Sequence, residues 1–308
     1  MPKLTFPRLS DELMRQRLEP PSGPVQMVLD TDTYNEIDDQ FAVVYSLLSK
    51  NLDVLAFYAA PYFNSRSSGP ADGMEKSYEE ILRLLGKMGR DPQGLAFRGA
   101  DRYLPDGEHP VESEAVADLI AKAKAPRKGP LYVLAVGAIT NVASALLLAP
   151  ELVERIVVVW LGGNPTYWPV NNEFNLRQDV PASQLIFSSG VPFVHIPCKN
   201  VTEHLRTTLP EMATYVKGKG AIGDYLYEIY KGYFTDHYAR SKVIWDISTV
   251  AWLNNAAWLP SEVVRAPILH ADKSWTPGGP ERHLMRAVTD VNRDKVFGDL
   301  FEKLAEQA

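Results

Sequence analysis

Short runs of apolar residues alternate along the chain with segments in which apolar residues recur every three or four positions. The runs that predict strands lie at residues 25–29, 54–58, 131–135, 155–161 and 191–196. The segments with helical periodicity between them lie at residues 38–49, 78–88, 112–123, 140–148 and 181–188. This rhythm is typical of βαβ units. It predicts the α/β class, with an open, mostly parallel, Rossmann-like sheet covered by helices on both faces.

The C-terminal part has a different pattern, in which helical segments dominate. The elements predicted there are irregular helices over 199–238, an apolar helix over 247–253, a loop and hairpin over 267–280, and a closing helix over 294–305. We find neither an internal repeat nor a low-complexity linker. The sequence therefore predicts one domain over residues 1–308, with a sheet core at 25–200 and a helical, lid-bearing part at 201–308.

Composition narrows the classes of function. The 308 residues carry a formal net charge of −6 without a Lys/Arg cluster suited to phosphates, so nucleic acid is not an expected partner. No run of about 18 apolar residues occurs, so no membrane span is expected. Residues 1–17 lack the continuous apolar stretch of a secretory signal. The single cysteine, Cys198, excludes an intramolecular disulfide and favours a reducing compartment. We expect a cytoplasmic protein that acts on a small molecule.

Four aspartates follow closely on the first predicted strand. Asp30 and Asp32 stand two positions apart, so both side chains face the same side of an extended chain. Asp38 and Asp39 open the next helix, where a carboxylate commonly caps the N-terminus. Capping explains one of these acids. Concentrating all four negative charges is costly unless a cation neutralises them, so the cluster indicates a metal site.

The types of ligand indicate which cation such a site would hold. Histidine and cysteine do not occur in this segment, and oxygen ligands favour Ca²⁺ or Mg²⁺ over zinc or copper. The spacing is not that of an EF-hand. Further oxygens must come from distant segments. Asp246, which opens an apolar helix, is a candidate, although taken alone it is more simply explained as a helix cap.

Two later loops carry further polar groups after predicted strands. Residues 171–175 contain amides and a carboxylate that suit the hydroxyls of a sugar, and an Asn-rich turn is the alternative. In the segment 136–141, a main-chain carbonyl could reach the cation. Alternatively, Thr140 and Asn141 could simply cap the following helix.

Together these segments resemble the inosine–uridine-preferring nucleoside hydrolase family. The family's opening motif, a strand ending in Asp-x-Asp followed by a turn, Asp-Asp and an apolar helix, matches residues 28–42. The other matching stretches, in the family's order, are 97–100, 136–143, 173–175 with Asp179, and 245–246. The resemblance implies the nucleoside hydrolase fold. It also implies calcium-dependent hydrolysis of the N-glycosidic bond of ribonucleosides, which releases ribose and the free base.

The resemblance assigns roles to individual residues. It implies a Ca²⁺ site whose ligands are Asp32, Asp39, Asp246 and the main-chain carbonyl of Val136. Asp32 would also be the general base that activates water, and Asp30 would orient the groups that touch the ion. The residues that would bind the nucleoside are Asp38, Asn64, Asn172, Glu173, Asn175 and Trp245.

The chain departs from the family pattern in two places. The loop before Asp38 has five residues after Asp32, which makes it longer than the family's usual loop, and it lacks the usual Pro-Gly. Asn35 or Glu36 could therefore take part in the site. Trp245 stands where many relatives have the histidine that protonates the departing base. The candidate replacements are His237 or Tyr238 as the acid, or an aromatic stack against the base.

Two other interpretations stay open on the sequence alone. Residues 29–33 also fit the nucleophile motif of haloacid-dehalogenase-like phosphatases, in which Asp30 would accept the phosphoryl group. The second is a catalytically silent member of the resembled family that binds nucleosides. The resemblance further implies a homodimer or homotetramer.

Overall fold

The strands of the protein follow the apolar runs of the sequence closely. The computed structural model describes residues 5–307. The strands are β1 (Val25–Thr31), β2 (Leu52–Ala59), β3 (Ala96–Arg98), β4 (Leu131–Ala135), β5 (Ile156–Leu161), β6 (Phe193–Ile196), β7 (Arg206–Thr207), β8 (Lys242–Val243), β9 (Ser261–Arg265), β10 (Ile268–Leu269), β11 (Trp275–Thr276) and β12 (Leu284–Val288). Every residue of β4 and β5 is buried, which explains why these two runs are continuously apolar.

The main sheet is open and mostly parallel. Within residues 5–307, eight strands join in the order β3–β2–β1–β4–β5–β6–β12–β9. Each neighbouring pair is parallel except β12 with β9. The predicted α/β class and sheet type are therefore confirmed. The strand order reverses beside β1, and ligands of such sheets bind at the carboxyl ends of the strands near this point.

Helices cover both faces of the sheet, as predicted. They are α1 (Asp11–Leu18), α2 (Asp38–Leu48), α3 (Pro70–Lys87), α4 (Glu114–Lys124), α5 (Thr140–Leu148), α6 (Phe174–Gln178), α7 (Val180–Ser188), α8 (Leu209–Tyr215), α9 (Gly220–Tyr233), α10 (Ile247–Asn254) and α11 (Arg293–Ala305). Successive strand residues point to opposite faces, so Met27 and Leu29 join one apolar cluster and Val28 joins the other. None of the helices between residues 5 and 307 is long and apolar enough to cross a membrane.

The sheet extends further along the chain than the sequence indicated. We expected its strands to lie before residue 200, but β12 and β9 add to its edge. β12 pairs with β6 in parallel, with Arg286 opposite Val194. The strand signal is weak because the charged Arg286 interrupts the apolar run. Its Nε donates to the main-chain oxygen of Leu18 at 2.7 Å, at the end of α1, a helix that we did not predict.

Short pairings in the C-terminal part place it against the sheet. The hairpin expected over 267–280 is formed by β10 and β11, which confirms that prediction. β7 and β8 form a second antiparallel pair, in which Thr207 lies opposite Lys242. α10, which begins immediately after Asp246, packs against α2, which begins at Asp38. Residues from opposite ends of the chain therefore meet at the carboxyl ends of the central strands.

Candidate active site

A cavity of about 470 Å³ lies beside the carboxyl ends of β4 and β5. The predicted site residues that line it are Asp38, Asn64, Val136, Asn172, Glu173, Asn175, Trp245 and Asp246. The other lining residues are Asn35, Glu36, Leu161, Asn164, Phe174, Cys198 and Lys199. The structure therefore brings most of the predicted residues to one cavity.

The end of β1 presents two aspartates in different surroundings. Asp30 is fully buried and accepts a hydrogen bond from Asn141 Nδ2 at 2.7 Å. Asn141 Oδ1 in turn accepts from the main-chain N–H of Ala100 at 2.7 Å, so Asp30 belongs to a network behind the cavity. Asp32 is also fully buried, and the charges of Asp39 and Asp38 act on its carboxyl group. The structure thus places Asp32, and not Asp30, against the carboxylates of α2.

Three buried carboxylates converge from two helices. Asp38, Asp39 and Asp246 each offer an oxygen, and these oxygens lie within 4.8 Å of one another. Thr31 Oγ1 donates to Asp39 Oδ1 at 2.6 Å and fixes the orientation of that carboxylate. The resemblance implied Asp32, Asp39 and Asp246 as the carboxylate ligands, whereas this group contains Asp38 in place of Asp32. The group could hold a metal ion through oxygen ligands.

Unpaired oxygens mark the same region. Among the residues that the structure describes, the buried atoms without a hydrogen-bond partner include Asp30 Oδ2, Asp32 Oδ1 and Asp39 Oδ2. Buried polar atoms are normally paired, because leaving one unpaired costs free energy. Coordination of a cation would satisfy the free oxygens of Asp32 and Asp39. The donor set therefore fits a divalent cation that prefers oxygen.

Burial makes these carboxyl groups weak acids. Loss of solvation raises the pKa of Asp39 to about 7, and the charge of Asp38 adds to this shift. It also raises the pKa of Asp38 to about 6, against the opposing effect of Lys242. Desolvation raises the pKa of Asp30 to about 7, and together with the nearby charges of Asp39 and Asp38 it raises the pKa of Asp32 well above its usual range. A cation that binds here must displace protons.

Lys242 supplies positive charge on one side of the cluster. Its Nζ lies 2.6 Å from Glu36 Oε2 and 3.7 Å from Asp38 Oδ1, and it donates to the main-chain oxygen of Val243 at 2.9 Å. The side chain of Lys242 is only 7% exposed. One ammonium group cannot neutralise the neighbouring carboxylates of Asp39 and Asp246 as well, so the need for a further cation remains.

The opposite wall is held by side chains that bond to the backbone. Glu173 caps α6, and its Oε2 also accepts from the N–H of Gly163 at 2.7 Å. Asn175 Nδ2 donates to the main-chain oxygens of Val136 and Leu161, both at 2.9 Å. These bonds fix the two polar side chains at the cavity surface. The carbonyl of Val136 retains a second lone pair for another partner.

Gly137 allows the backbone after β4 to approach Asp32 closely. A Cβ atom on Gly137 would lie 2.9 Å from Asp32 Cγ and 3.0 Å from Asp32 Oδ1. The segment is fixed on both sides, because the N–H of Val136 donates to Asp30 O at 2.9 Å and Trp160 Nε1 donates to Gly137 O at 3.0 Å. A side chain at this position would therefore displace Asp32.

The loop between β1 and α2 takes part in the site through both residues that its unusual length suggested. Asn35 and Glu36 line the cavity. Tyr34 has a φ of 83°, in the left-handed region that most residues avoid. Arg66 Nη1 donates to the main-chain oxygens of Tyr34 and Glu36 at 3.3 and 3.1 Å, and Asn64 Nδ2 donates to Asn35 Oδ1 at 2.7 Å. These contacts hold the strained loop in place.

His237, a candidate for the leaving-group acid, is not among the residues that line the cavity. Its Nε2 lies 2.9 Å from the main-chain oxygen of Lys231, and its ring stacks on Tyr230 and meets Phe234 edge-on. The ring is therefore part of an aromatic cluster at the end of α9, and nothing in its surroundings supports a role as acid. Trp245, by contrast, lines the cavity as expected.

Some cavity residues escaped the sequence analysis. No sequence pattern identified Lys242 as a site residue, because its contact with Asp38 depends on the short pairing of β8 with β7. Asn164 follows the Gly162-Gly163 turn and is held by Asn171 Oδ1, which accepts from its N–H at 2.7 Å. The Asn-rich composition of segment 171–175 was the sequence feature that could have indicated the contact between Asn171 and Asn164.

Residues 27–298 match the family described as inosine-uridine preferring nucleoside hydrolase. The match covers most of the chain. This chain belongs to that family. The resemblance drawn from the spacing of its motifs is thereby confirmed.

Two named relatives of this nucleoside hydrolase family illustrate the similarity. The chain is 29% identical to the pyrimidine-specific ribonucleoside hydrolase RihA of Citrobacter koseri, in an alignment that covers 51% of this chain and 55% of the relative. It is 25% identical to the probable uridine nucleosidase 2 of Arabidopsis thaliana, in an alignment that covers 77% of this chain and 78% of the relative. The matched stretch thus spans little more than half the length of the bacterial relative.

Solved nucleoside hydrolase structures share the fold. A purine-preferring ribonucleoside hydrolase from Gardnerella vaginalis superposes with a TM-score of 0.71 at 19% identity, over 92% of this chain and 98% of that one. The plant nucleoside hydrolase PpNRh1 gives a TM-score of 0.71 at 20% identity, over 92% and 99%. The predicted nucleoside hydrolase fold is confirmed.

Proposed function

We propose that this protein hydrolyses the N-glycosidic bond of ribonucleosides, with Ca²⁺ as its cofactor, and releases ribose and the free base. The observation that carries the proposal is the convergence of buried carboxylates beside a cavity in a member of this family. Burying several acids together destabilises a fold unless their charges are compensated. Binding a cation is the form of compensation that this donor set suits best.

The residues proposed to hold the ion are Asp32, Asp39, Asp246 and the carbonyl of Val136, with Asp38 beside them. All of these ligands are hard oxygens, which favour calcium over softer metals. When bound, calcium lowers the pKa of water in the site. Asp30, held by Asn141 behind this group, would orient the end of β1.

Asp32 is the proposed general base. Its Oδ1 has no hydrogen-bond partner among the described residues, and burial raises the pKa of this carboxyl group, which makes it a stronger proton acceptor than an exposed aspartate. As Asp32 takes a proton from water, the water oxygen forms a bond to the anomeric carbon of ribose. The bond from that carbon to the base nitrogen breaks, and the base leaves with the electron pair and is protonated from solvent.

Positive charge develops on the ribose in an oxocarbenium-like transition state of this kind. The carboxylates of Asp38 and Glu173 lie at the cavity surface, where they would bind ribose hydroxyls and stabilise that charge. Asn172 and Asn175 line the same surface and would add amide contacts to the sugar. The bonds of Asn175 and Glu173 to the backbone favour a preorganised site.

Trp245 is proposed to contact the base. Its ring lines the cavity immediately before Asp246, and a π face binds purines and pyrimidines alike. Phe174 adds apolar surface to the same cavity. Because the relatives' names include both a pyrimidine-specific and a purine-preferring enzyme, both types of base belong in the test.

The alternative interpretations lack support from the site. A phosphatase would need Asp30 at the substrate, but Asn141 Nδ2 occupies Asp30 Oδ1, and Asp30 is not one of the three carboxylates that converge beside the cavity. A silent nucleoside-binding member is a testable outcome, with no observation that favours it.

Three broader proposals accompany this function. A single domain is proposed for residues 1–308, of which residues 1–4 and 308 lie outside the described part, and the pairing of β12 with β6 in one sheet supports it. A homodimer or homotetramer is proposed from the family resemblance, and light scattering coupled to size exclusion measures it. A cytoplasmic location is proposed from the single cysteine and the composition.

The test is a panel of inosine, adenosine, guanosine, uridine and cytidine, assayed for ribose release with calcium and after chelation. We expect release that stops on chelation and returns when calcium is restored. Protein that retains calcium but releases no ribose from any of the five would support the silent interpretation. Phosphatase activity that is independent of calcium would overturn the proposal.

A further inference from the structure

The longer loop before α2 contacts the proposed general base through an amide side chain. Asn35 Nδ2 donates to Asp32 Oδ2 at 3.2 Å, and Asn35 is 9% exposed. The other carboxylate oxygen, Asp32 Oδ1, has no hydrogen-bond partner in the part of the chain that the structure describes. The bond from Asn35 therefore engages one oxygen of Asp32 and leaves the other available to accept a proton.

Asn64 fixes the orientation of the Asn35 amide. Asn64 Nδ2 donates to Asn35 Oδ1 at 2.7 Å and to the main-chain oxygen of Asn35 at 3.2 Å. A side-chain amide has its acceptor and its donors on different atoms, so holding Asn35 Oδ1 directs Asn35 Nδ2 toward Asp32. Asn64 Oδ1 is itself engaged by the main-chain N–H of Arg66 at 2.8 Å. The two donor hydrogens of Asn64 are thus used within the loop.

We propose that Asn35 is a positioning residue for Asp32, and that Asn64 acts through Asn35 and does not bind ribose. The inference rests on the proposed function, because it takes Asp32 as the base. Asn35 belongs to the loop that is longer than the family's usual one, so the proposal assigns a function to this longer loop. Positioning residues behind a metal site commonly contribute about 10- to 100-fold to activity or metal affinity.

A contact outside this amide chain provides a matched control. Arg66 Nη1 holds the same loop through the main-chain oxygens of Tyr34 and Glu36. Arg66 is exposed, and its guanidinium donates to the loop backbone and not to Asp32. Arg66→Ala therefore loosens the loop without removing the amide that touches the base. It separates a general effect of loop mobility from a specific effect on Asp32.

The kinetic test compares Asn35→Ala, Asn64→Ala, the double variant and Arg66→Ala. We expect Asn35→Ala to lower kcat by about 10- to 100-fold with little change in KM. Asn64→Ala should act in the same direction. The double variant should be no worse than Asn35→Ala, because Asn64 acts through Asn35. Arg66→Ala should retain kcat, and a loss equal to that of Asn35→Ala would overturn the proposal.

Two readouts do not depend on turnover. Calorimetric titration with calcium alone should show affinity weakened by about tenfold in Asn35→Ala but not in Arg66→Ala. A crystal structure of Asn35→Ala should show a rotated Asp32 carboxylate. Unchanged calcium affinity and an unchanged Asp32 would contradict the proposal, even if the wild type released no ribose and the proposed function had failed. If Asn35→Ala does not fold, the calcium titration and the crystal structure of Asn64→Ala test the proposal instead.

Discussion

Lys242 Nζ lies 3.7 Å from Asp38 Oδ1, and both side chains are buried, at 7% and 5% exposed. Lys242 also bonds to Glu36, so a single ammonium group joins the start of α2, the loop before it and β8. Removing one partner of a buried ion pair leaves the other charge unpaired, which is costly. The pair therefore holds together two segments that are remote in sequence.

We predict that Lys242→Met destabilises the protein by about 3 kcal/mol, the cost of leaving the buried charge of Asp38 unpaired. Because Asp38 is proposed to hold the ribose, KM should rise more than kcat falls. Denaturant unfolding and steady-state kinetics measure the two effects. The control is Lys50→Met, whose side chain is 82% exposed beside Glu306 and should change stability by less than about 0.5 kcal/mol. Equal behaviour of the two variants would refute the role of Lys242.

Asp32→Asn should lower kcat by about 10²–10⁴-fold, because the amide cannot accept the proton of water. The matched control is Asp53→Asn on β2, an exposed aspartate that accepts a hydrogen bond from Gln26 Nε2 and is not one of the buried carboxylates. The control should keep wild-type kcat. Circular dichroism checks that both variants fold. Activity of Asp32→Asn within twofold of wild type, about 0.4 kcal/mol in the barrier, would show that another group is the base.

Gly137→Ala tests the close approach of the backbone to Asp32. The added Cβ would lie 2.9 Å from Asp32 Cγ, a distance that requires the carboxylate to move. A displaced catalytic group commonly costs about 10²-fold in rate, so we expect kcat to fall by that order. Gly86→Ala in α3 is the control, since its Cβ would meet nothing within 4 Å. Wild-type turnover in Gly137→Ala would mean that Asp32 tolerates the shift.

Calcium should stabilise the protein more at pH 8 than at pH 5. The folded-state pKa values of Asp39 (about 7) and Asp38 (about 6) lie above the unfolded value of about 3.8, so the metal-free fold binds more protons than the unfolded chain. The stability contributed by these groups is present at low pH and is lost as pH rises through 6 to 7. Calcium replaces those protons, and thermal denaturation with and without calcium measures its effect. A larger calcium effect at pH 5 would contradict the ligand assignment.

Trp245→Ala should raise KM for nucleosides by about tenfold, because stacking of a base on an aromatic ring is worth about 1–3 kcal/mol. Trp245→Phe keeps an aromatic face and should recover most of the loss. Steady-state kinetics on one purine and one pyrimidine nucleoside measure both. If Trp245→Ala has the same KM as Trp245→Phe for each of the two nucleosides, the base does not stack on this ring.

The sequence was sufficient for those parts of the site that are set by local pattern. Asp32, Asp38 and Asp39 could be placed because an apolar run and a helical periodicity surround them, which fixes the strand end and the helix start. Glu173 and Asn175 were predicted from the amides and the carboxylate of the loop that follows β5. In these cases a few neighbouring residues determine both the element and the direction of the side chain.

The remaining features depend on pairings between distant segments. Lys242 reaches Asp38 through a strand pair of two residues each, which is too short to leave a periodic signal. Arg286 interrupts β12, so the strand is recognisable only beside β6. The sequence could not show that the His237 ring packs on Tyr230 and Phe234, because an aromatic stripe on a helix does not indicate what it faces.

The packing of α10 against α2 has a consequence for the order in which this protein acquires its chemistry. A ribosome releases Asp38 and Asp39 early and Asp246 much later, and β12, which continues the sheet beside β6, later still. Until then the emerging chain carries acidic groups without the segment that completes their oxygen set. The three converging carboxylates therefore meet only after the chain has been synthesised beyond Asp246, and the edge of the sheet is completed only once β12 has followed.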